Sequence, residues 1–152
     1  MHVTIQTTRF GALDVDERKV LNFAEGLPGF EGRRRFALVP HHAEGGDKSS
    51  PFVWLQSLED EGLAFLAMEP HRAFPDYAPR IPRAEMEALA LTDEAARTRL
   101  YTLLTVPPGD PCGITANLMA PIVANPRAGL AKQVVLADQY GLQHRLLLGS
   151  PE

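Results

Sequence analysis

The sequence predicts a mainly β protein, a small antiparallel barrel-like single domain with one short helical segment. Apolar residues come in short runs of strand length, and 13 prolines and 12 glycines interrupt them, as in strands joined by turns. Apolar residues have helical spacing in one short segment only. No internal repeat or change in composition marks a second domain, so residues 1–152 are expected to form one domain with one core.

The N-terminal part contains three strand candidates. Partial alternation of apolar and polar residues indicates strands at 3–7 and 19–23. These are joined through residues 10–13, and the acidic residues that follow are expected to be solvated. A third strand is expected at 35–39, where alternate apolar residues share one face.

A tight turn is predicted within residues 23–31 (Phe-Ala-Glu-Gly-Leu-Pro-Gly-Phe-Glu). Proline fixes φ at about −65° and glycine accepts a positive φ, so Pro28 and Gly29 fit the two central positions of a type II turn. Gly26 opens the same phrase, and we expect Gly26, Pro28 and Gly29 to have a structural role.

The middle of the chain predicts a hairpin that is buried on more than one side. Residues 52–58 and 63–68 are nearly continuous apolar runs, and residues 59–62 (Glu-Asp-Glu-Gly) separate them. Residues 41–51 precede the hairpin and hold no apolar pattern beyond one alanine. We therefore expect a flexible loop at 41–51.

The C-terminal part combines the helix with further strands. Met86, Leu89 and Ala90 form an apolar face with helical spacing, which predicts a helix over 83–91. Pro121 cannot donate a ladder hydrogen bond, so the strand that contains it needs an edge or a bulge there. The expected strands after the helix are 100–106, 114–123, 132–137 and 142–148, for a total of eight or nine.

Composition limits the classes of function. A net charge of −4 argues against direct nucleic-acid binding and is compatible with a basic protein partner. No apolar run reaches the ~18–20 residues that cross a bilayer, and the N-terminus lacks the apolar core of a signal peptide. The single cysteine, Cys112, cannot form an internal disulfide. These features favour a cytoplasmic protein that does not bind membranes.

No catalytic or metal-binding constellation is visible. The five histidines do not have metal-ligand spacing, and Cys112 with His144 lacks a nucleophile-elbow pattern. The acids at 59–61 are expected to be exposed at a hairpin tip, where their pKa values stay ordinary. The arginines at 33–35 are interpreted as a charged strand edge. We therefore expect no metal, no cofactor and no enzymatic activity.

Aromatic residues are the better candidates for binding. Phe52, Trp54 and Gln56 share one strand face, which is either a buried face that becomes partly exposed at the edge of the core or an exposed recognition face. Residues 74–77 (Phe-Pro-Asp-Tyr) place two aromatic rings in a proline-stiffened loop, which loses little entropy on binding. Tryptophan and tyrosine are enriched at binding hot spots.

Five separated phrases carry a resemblance to one family. They are Phe10-Gly11, the turn phrase at 23–31, Pro-Phe-Val-Trp-Leu-Gln-Ser at 51–57, Phe-Pro-Asp-Tyr at 74–77, and Thr-Ala-Asn-Leu-Met-Ala-Pro-Ile-Val-Ala-Asn at 115–125. Together they resemble the flagellar assembly factor family FliW. The resemblance implies a β-rich, non-catalytic protein that binds flagellin and the RNA-binding translational regulator CsrA, and so relieves CsrA repression of flagellin messenger RNA.

Candidate contact residues follow from these patterns and from the resemblance. The acidic hairpin tip and the loop at 74–77 are expected to help build the partner surface, with association that weakens in salt. The candidate protein-binding residues are Glu31, Trp54, Gln56, Glu59, Asp60, Glu61, Phe74, Asp76, Tyr77 and Asn117. The alternative function is a small-molecule-binding β-barrel without catalysis, in which Trp54 lines a cavity.

Overall fold

The computed structural model describes residues 2–8, 10–27, 29–30, 32–40, 52–91, 98–106, 109, 113–136 and 144–145. Four of the predictions above fall outside these residues. They are the flexible loop at 41–51, the conformation of Pro28, the candidate contact residue Glu31 and the role of Cys112.

The described chain contains eleven strands and one α-helix. The strands are β1 (His2–Thr7), β2 (Gly11–Asp16), β3 (Val20–Phe23), β4 (Arg35–Pro40), β5 (Phe52–Ser57), β6 (Ala64–Met68), β7 (Arg99–Thr105), β8 (Thr115–Ala116), β9 (Ile122–Asn125), β10 (Leu130–Gln133) and β11 (His144–Arg145). The helix α1 spans Arg83–Ala88, and 3₁₀ turns lie at Glu17–Lys19 and Pro70–Arg72.

Seven of the strands close into a barrel in the order β7-β6-β5-β4-β3-β10-β9, because β9 pairs back onto β7. This closed sheet confirms the predicted barrel-like fold. All of the pairings are antiparallel except that of β3 with β10, which is parallel. The short strands β8 and β11 extend the sheet beside β7, and β1 and β2 form a separate hairpin.

Alternate residues of the barrel strands point inward and form the main core. In β4, Phe36 and Leu38 belong to this core, as the alternation predicted, and Ala37 packs outside. One end of the barrel, where β3 ends and β6 begins, is filled by aromatic rings. The Phe36 ring lies 5.4 Å from Phe23 and 6.0 Å from Phe65. Such tilted and edge-on contacts add to the stabilisation from burial.

Three elements cover the outside of the barrel. The β1–β2 hairpin packs on Val20 and Ala37, and α1 packs on Val123. The segment around Tyr77 packs on Met68 and on the outward face of β5. The β5–β6 hairpin is therefore buried on both faces, as its continuous apolar runs predicted.

The prediction that residues 10–13 are a mere connection is wrong. Residues from Gly11 onward form β2, which pairs with β1 along its whole length, and Val15 is 5% exposed. Asp16 ends the strand, and its carboxylate accepts a hydrogen bond from the Arg18 amide at 3.0 Å, which caps the following 3₁₀ turn. The sequence of β2 alternates apolar and acidic residues regularly, but the acidic residues suggested a solvated connection.

The single strand predicted at 114–123 is also wrong. The chain leaves the sheet after β8 and re-enters at β9, because Asn117 forms a turn in which its Oδ1 accepts from the Ala120 amide at 3.1 Å. The hydroxyl of Thr102 donates to the Asn117 carbonyl at 2.8 Å and holds this turn against β7. Pro121 then lies just before β9, where its missing N–H costs no ladder bond.

The predicted helix at 83–91 is shorter than expected, since α1 ends at Ala88. Leu89 is buried as predicted, but Ala90 has φ +59° and is exposed, so its assignment to the apolar helix face is wrong. Hydrogen bonds from the Asn125 side chain account for the end of α1 at this point. Its Nδ2 donates to the carbonyls of Leu89 at 2.8 Å and Ala90 at 3.3 Å, which fixes the helix end on β9.

Candidate functional site

The turn phrase after β3 closes the aromatic end of the barrel. Gly29 has φ +87°, and the amide of Phe30 donates to the Leu27 carbonyl at 2.7 Å, as a type II turn requires. Gly26 also has a positive φ, +68°. Leu27 is buried in the core, whereas Phe30 remains 37% exposed with its ring 5.3 Å from Phe65. The turn thus buries the Leu27 side chain in the core and leaves the Phe30 ring half-exposed at the surface.

The tip of the β5–β6 hairpin is held rigidly by its own polar groups. The Ser57 hydroxyl oxygen accepts hydrogen bonds from the amides of Glu59 and Asp60, both at 3.0 Å. Asp60 Oδ1 accepts from the Gly62 amide at 3.1 Å. Beneath the tip, Gln56 Nε2 donates to the Ser57 carbonyl at 3.0 Å. The hairpin tip is therefore an ordered surface.

The acidic tip is paired with the arginine run at 33–35. Asp60 lies 3.2 Å from the Arg33 guanidinium, and Glu59 accepts from the amides of Arg34 at 2.6 Å and Arg35 at 3.1 Å. Burial alone would raise the pKa of Glu59, but these amides and the Arg35 charge hold that pKa below its usual range. The expectation of simply solvated acids with ordinary pKa values is wrong for Glu59.

These groups form one surface, which we call the tip surface and define by its exposed or half-exposed members. A half-exposed aromatic ring stands beside charges of both signs, an arrangement that is typical of recognition surfaces. Sequence reasoning missed Phe30 because a phenylalanine in a buried turn phrase looks like core. The members of the tip surface are Phe30, Arg33, Arg34, Arg35, Glu59, Asp60 and Glu61.

The segment at 74–77 contributes less exposed surface than expected. Tyr77 is 4% exposed, and its hydroxyl donates to the Leu118 carbonyl at 2.8 Å, so this ring anchors the segment to the barrel. Phe74 is half-buried in the same cluster, and Asp76 is exposed. His71 Nε2 lies 2.8 Å from the Tyr77 carbonyl.

The remaining candidates lie along the outside of β5 and beside β7. Gln56 is completely buried, so its side chain does not belong to an exposed surface, and the same holds for Tyr77. Trp54 is half-buried, with its ring 6.4 Å from Phe10. Asn117 is half-buried in the turn after β8.

The candidates therefore fall into two groups rather than one. Phe52 contacts the cluster of the 74–77 segment, and Gln56 lies under the hairpin tip. At about 3.3 Å per residue, these ends of β5 are roughly 13 Å apart.

The barrel also carries a cavity of about 520 Å³ at its other end, and Trp54 is not among its lining residues. This cavity therefore does not support the alternative in which Trp54 lines a ligand cavity, and that alternative stays a prediction. Among the described residues, no cluster of three His, Cys, Asp or Glu side chains could hold a metal ion. In the same part of the chain, no helix is long and apolar enough to cross a membrane.

Comparisons with known proteins agree with this architecture. The family model described as FliW protein matches residues 4–146. The chain is 38% identical over 139 residues to the Flagellar assembly factor FliW of Leptospira biflexa, covering 91% of this chain and 87% of the relative. It is 40% identical over 134 residues to the protein of the same name from Bdellovibrio bacteriovorus, covering 88% and 73%.

A solved structure is similar as well. The crystal structure of the flagellar assembly factor FliW superposes with a TM-score of 0.81 at 34% identity. The match covers 94% of this chain and 96% of the crystallised one.

Proposed function

Because the chain belongs to the FliW family, we propose that it is a non-catalytic flagellar assembly factor that acts by binding protein partners. The match over residues 4–146 carries this proposal, since it covers the barrel and the elements that cover it. Relatives that share 38% and 40% of their aligned residues bear the name of flagellar assembly factors.

The partners we propose are a CsrA-type RNA-binding translational regulator and flagellin. In this scheme the protein binds the regulator in the cytoplasm and frees flagellin messenger RNA from repression, while accumulating flagellin competes for the same protein. An RNA-binding regulator is basic, and a net charge of −4 on this chain favours their encounter.

We assign partner recognition to the tip surface. Phe30 supplies an apolar anchor at 37% exposure, and the pairs Arg33–Asp60 and Arg35–Glu59 supply fixed charges of both signs around it. Because these acids already have arginine partners, the tip steers a basic partner less than free carboxylates would. Salt dependence should therefore be moderate, with binding that persists but weakens from about 50 mM to about 500 mM salt.

The test is a pair of binding titrations with the purified regulator and flagellin of the same organism, followed by competition between them. We expect micromolar or tighter binding to each. Phe30→Ala should weaken at least one complex by about tenfold or more, as loss of a hot-spot aromatic ring does. Val135→Ala is the matched control, because Val135 is apolar and 59% exposed but lies outside the tip surface.

Two results would contradict this proposal. If neither partner binds at micromolar concentration, the proposed function fails. If both bind but Phe30→Ala and Val135→Ala behave alike, the function stands and the assignment to the tip surface fails. Thermal unfolding of each variant must accompany the titrations, since Phe30 also contacts Phe65.

A further inference from the structure

The cavity at the second barrel end is ligand-sized. It measures about 520 Å³ and lies where β3 and β7 begin and where β9 meets β10. Binding pockets for small ligands commonly measure about 300–1,000 Å³, and the mouths of β-barrels are among their usual positions. We call this cavity the barrel mouth.

The rim of the barrel mouth concentrates positive charge on a chain whose net charge is −4. Four cationic side chains, Arg18, Lys19, Arg99 and Arg127, line the cavity together with the single carboxylate of Asp16. They come from the 3₁₀ turn before β3, from the start of β7 and from the β9–β10 turn, so tertiary folding brings them together.

Part of this charge is neutralised and part remains available. Arg18 is bound to Asp16 through two contacts of 3.2 and 3.0 Å, and Arg99 lies 3.1 Å from Glu69. Lys19 is exposed and forms no ion pair with any residue that the structure describes. The rim is thus suited to one added anionic group and not to several.

The floor of the barrel mouth is apolar with one hydroxyl. Leu21 and Leu38 line it from β3 and β4, and Tyr101 lines it from β7. Burial, and secondarily the nearby Glu69, raises the pKa of Tyr101, so its hydroxyl remains a hydrogen-bond donor at neutral pH. An apolar ligand body can bury surface here while its charged end reaches the rim.

We propose that the barrel mouth binds an amphipathic carboxylate, whose acidic group meets the cationic rim while its apolar body enters the cavity. Two sources share this chemistry, a free organic acid with an aliphatic chain and the carboxyl terminus of a peptide with apolar last residues. The inference rests on the cavity and its charges and is independent of the proposed partners.

The test uses two probes and their uncharged counterparts with the full-length protein. Octanoate is compared with octanamide, and an N-acetylated peptide ending in Leu-Leu is compared with its C-terminal amide. Amide chemical shifts in ¹H–¹⁵N spectra give both the site and the affinity. We expect one of the acids to shift the amide signals of residues 16–21, 99–101 and 127, and the acid that binds more tightly identifies the source.

Charge reversal provides the specific control. Lys19→Glu and Arg127→Glu should each weaken binding of the acid by about tenfold, because each replaces attraction by repulsion at the rim. Arg83→Glu reverses a charge on α1, where the side chain is 88% exposed and does not line the cavity, and it should leave the affinity unchanged.

The proposal is overturned if neither acid shifts the mouth residues at up to about 10 mM, a concentration well above weak specific binding. It is also overturned if the amides bind as well as the acids, or if Lys19→Glu and Arg83→Glu have equal effects. Lys19 is exposed, so its variant should fold normally.

Discussion

Asn125→Ala should destabilise the protein by about 2–3 kcal/mol, because the side chain joins α1 to the barrel. Asn125 is 3% exposed, and its Nδ2 serves the carbonyls of Leu89 at 2.8 Å and Ala90 at 3.3 Å. Each hydrogen bond contributes roughly 1 kcal/mol net, and a buried carbonyl left without a donor costs about 1–3 kcal/mol. The exposed Ala90 carbonyl can be hydrated, so the Leu89 carbonyl carries most of the penalty.

Urea unfolding followed by Trp54 fluorescence and by circular dichroism measures this loss, which should also lower Tm by roughly 5–10 °C. Asn22→Ala is the matched control, since Asn22 Nδ2 donates to the Gly129 carbonyl at 3.0 Å but is exposed, and it should cost less than about 1 kcal/mol. Asn125→Asp keeps the volume but removes the donor, and it should be at least as destabilising as alanine at neutral pH. Equal losses for the Asn125 and Asn22 alanine variants would refute the argument from burial.

Three further variants test other contacts. Glu59→Gln should lower stability at neutral pH, and the difference in stability between variant and native protein should shrink in acid. The reason is that a carboxyl whose folded pKa is depressed stabilises the fold only while it is ionised. Urea midpoints of the two proteins that stay equally far apart in acid would contradict this. Lys132→Ala removes the 2.7 Å contact with Glu85 and the 3.5 Å contact with Glu25, and it should cost about 1 kcal/mol, with faster amide exchange in α1. Phe65→Ala should lower the free energy of unfolding by about 2–3 kcal/mol in denaturant titrations, since Phe65 contacts Phe30 and the main core but is itself partly exposed. A loss below about 1 kcal/mol would show that the aromatic rings at this end of the barrel contribute little to its stability.

Local sequence patterns correctly predicted the elements whose burial or backbone conformation depends only on neighbouring residues. The runs at 52–58 and 63–68 became β5 and β6 because burial on both faces leaves a continuous apolar stretch. The turn at Gly29 could be predicted from the sequence because its positive φ favours glycine. β2 was missed because its acidic positions resembled a solvated connection.

Predictions of contact residues were less accurate, because exposure depends on distant segments. Gln56 alternates with core residues along β5, so the sequence suggests a partly exposed side chain. The hairpin tip instead folds over it, and its Nε2 donates to the carbonyls of Ser57, Asp60 and Glu61. Tyr77 looks like an exposed ring in a proline-rich loop, yet Leu118 supplies a carbonyl 41 positions away. Neither partner residue is implied by local sequence.

The amino-acid sequence by itself determined the mainly β class, the hairpin and the sharp turn after β3, since each depends on periodicity or on the φ preference of one or two residues. Only the tertiary structure decided how the barrel closes, where Glu59 meets the arginine run and which cations surround the barrel mouth. Those features join residues far apart in the chain, and the strand register that brings them together is set by the packing of the whole core.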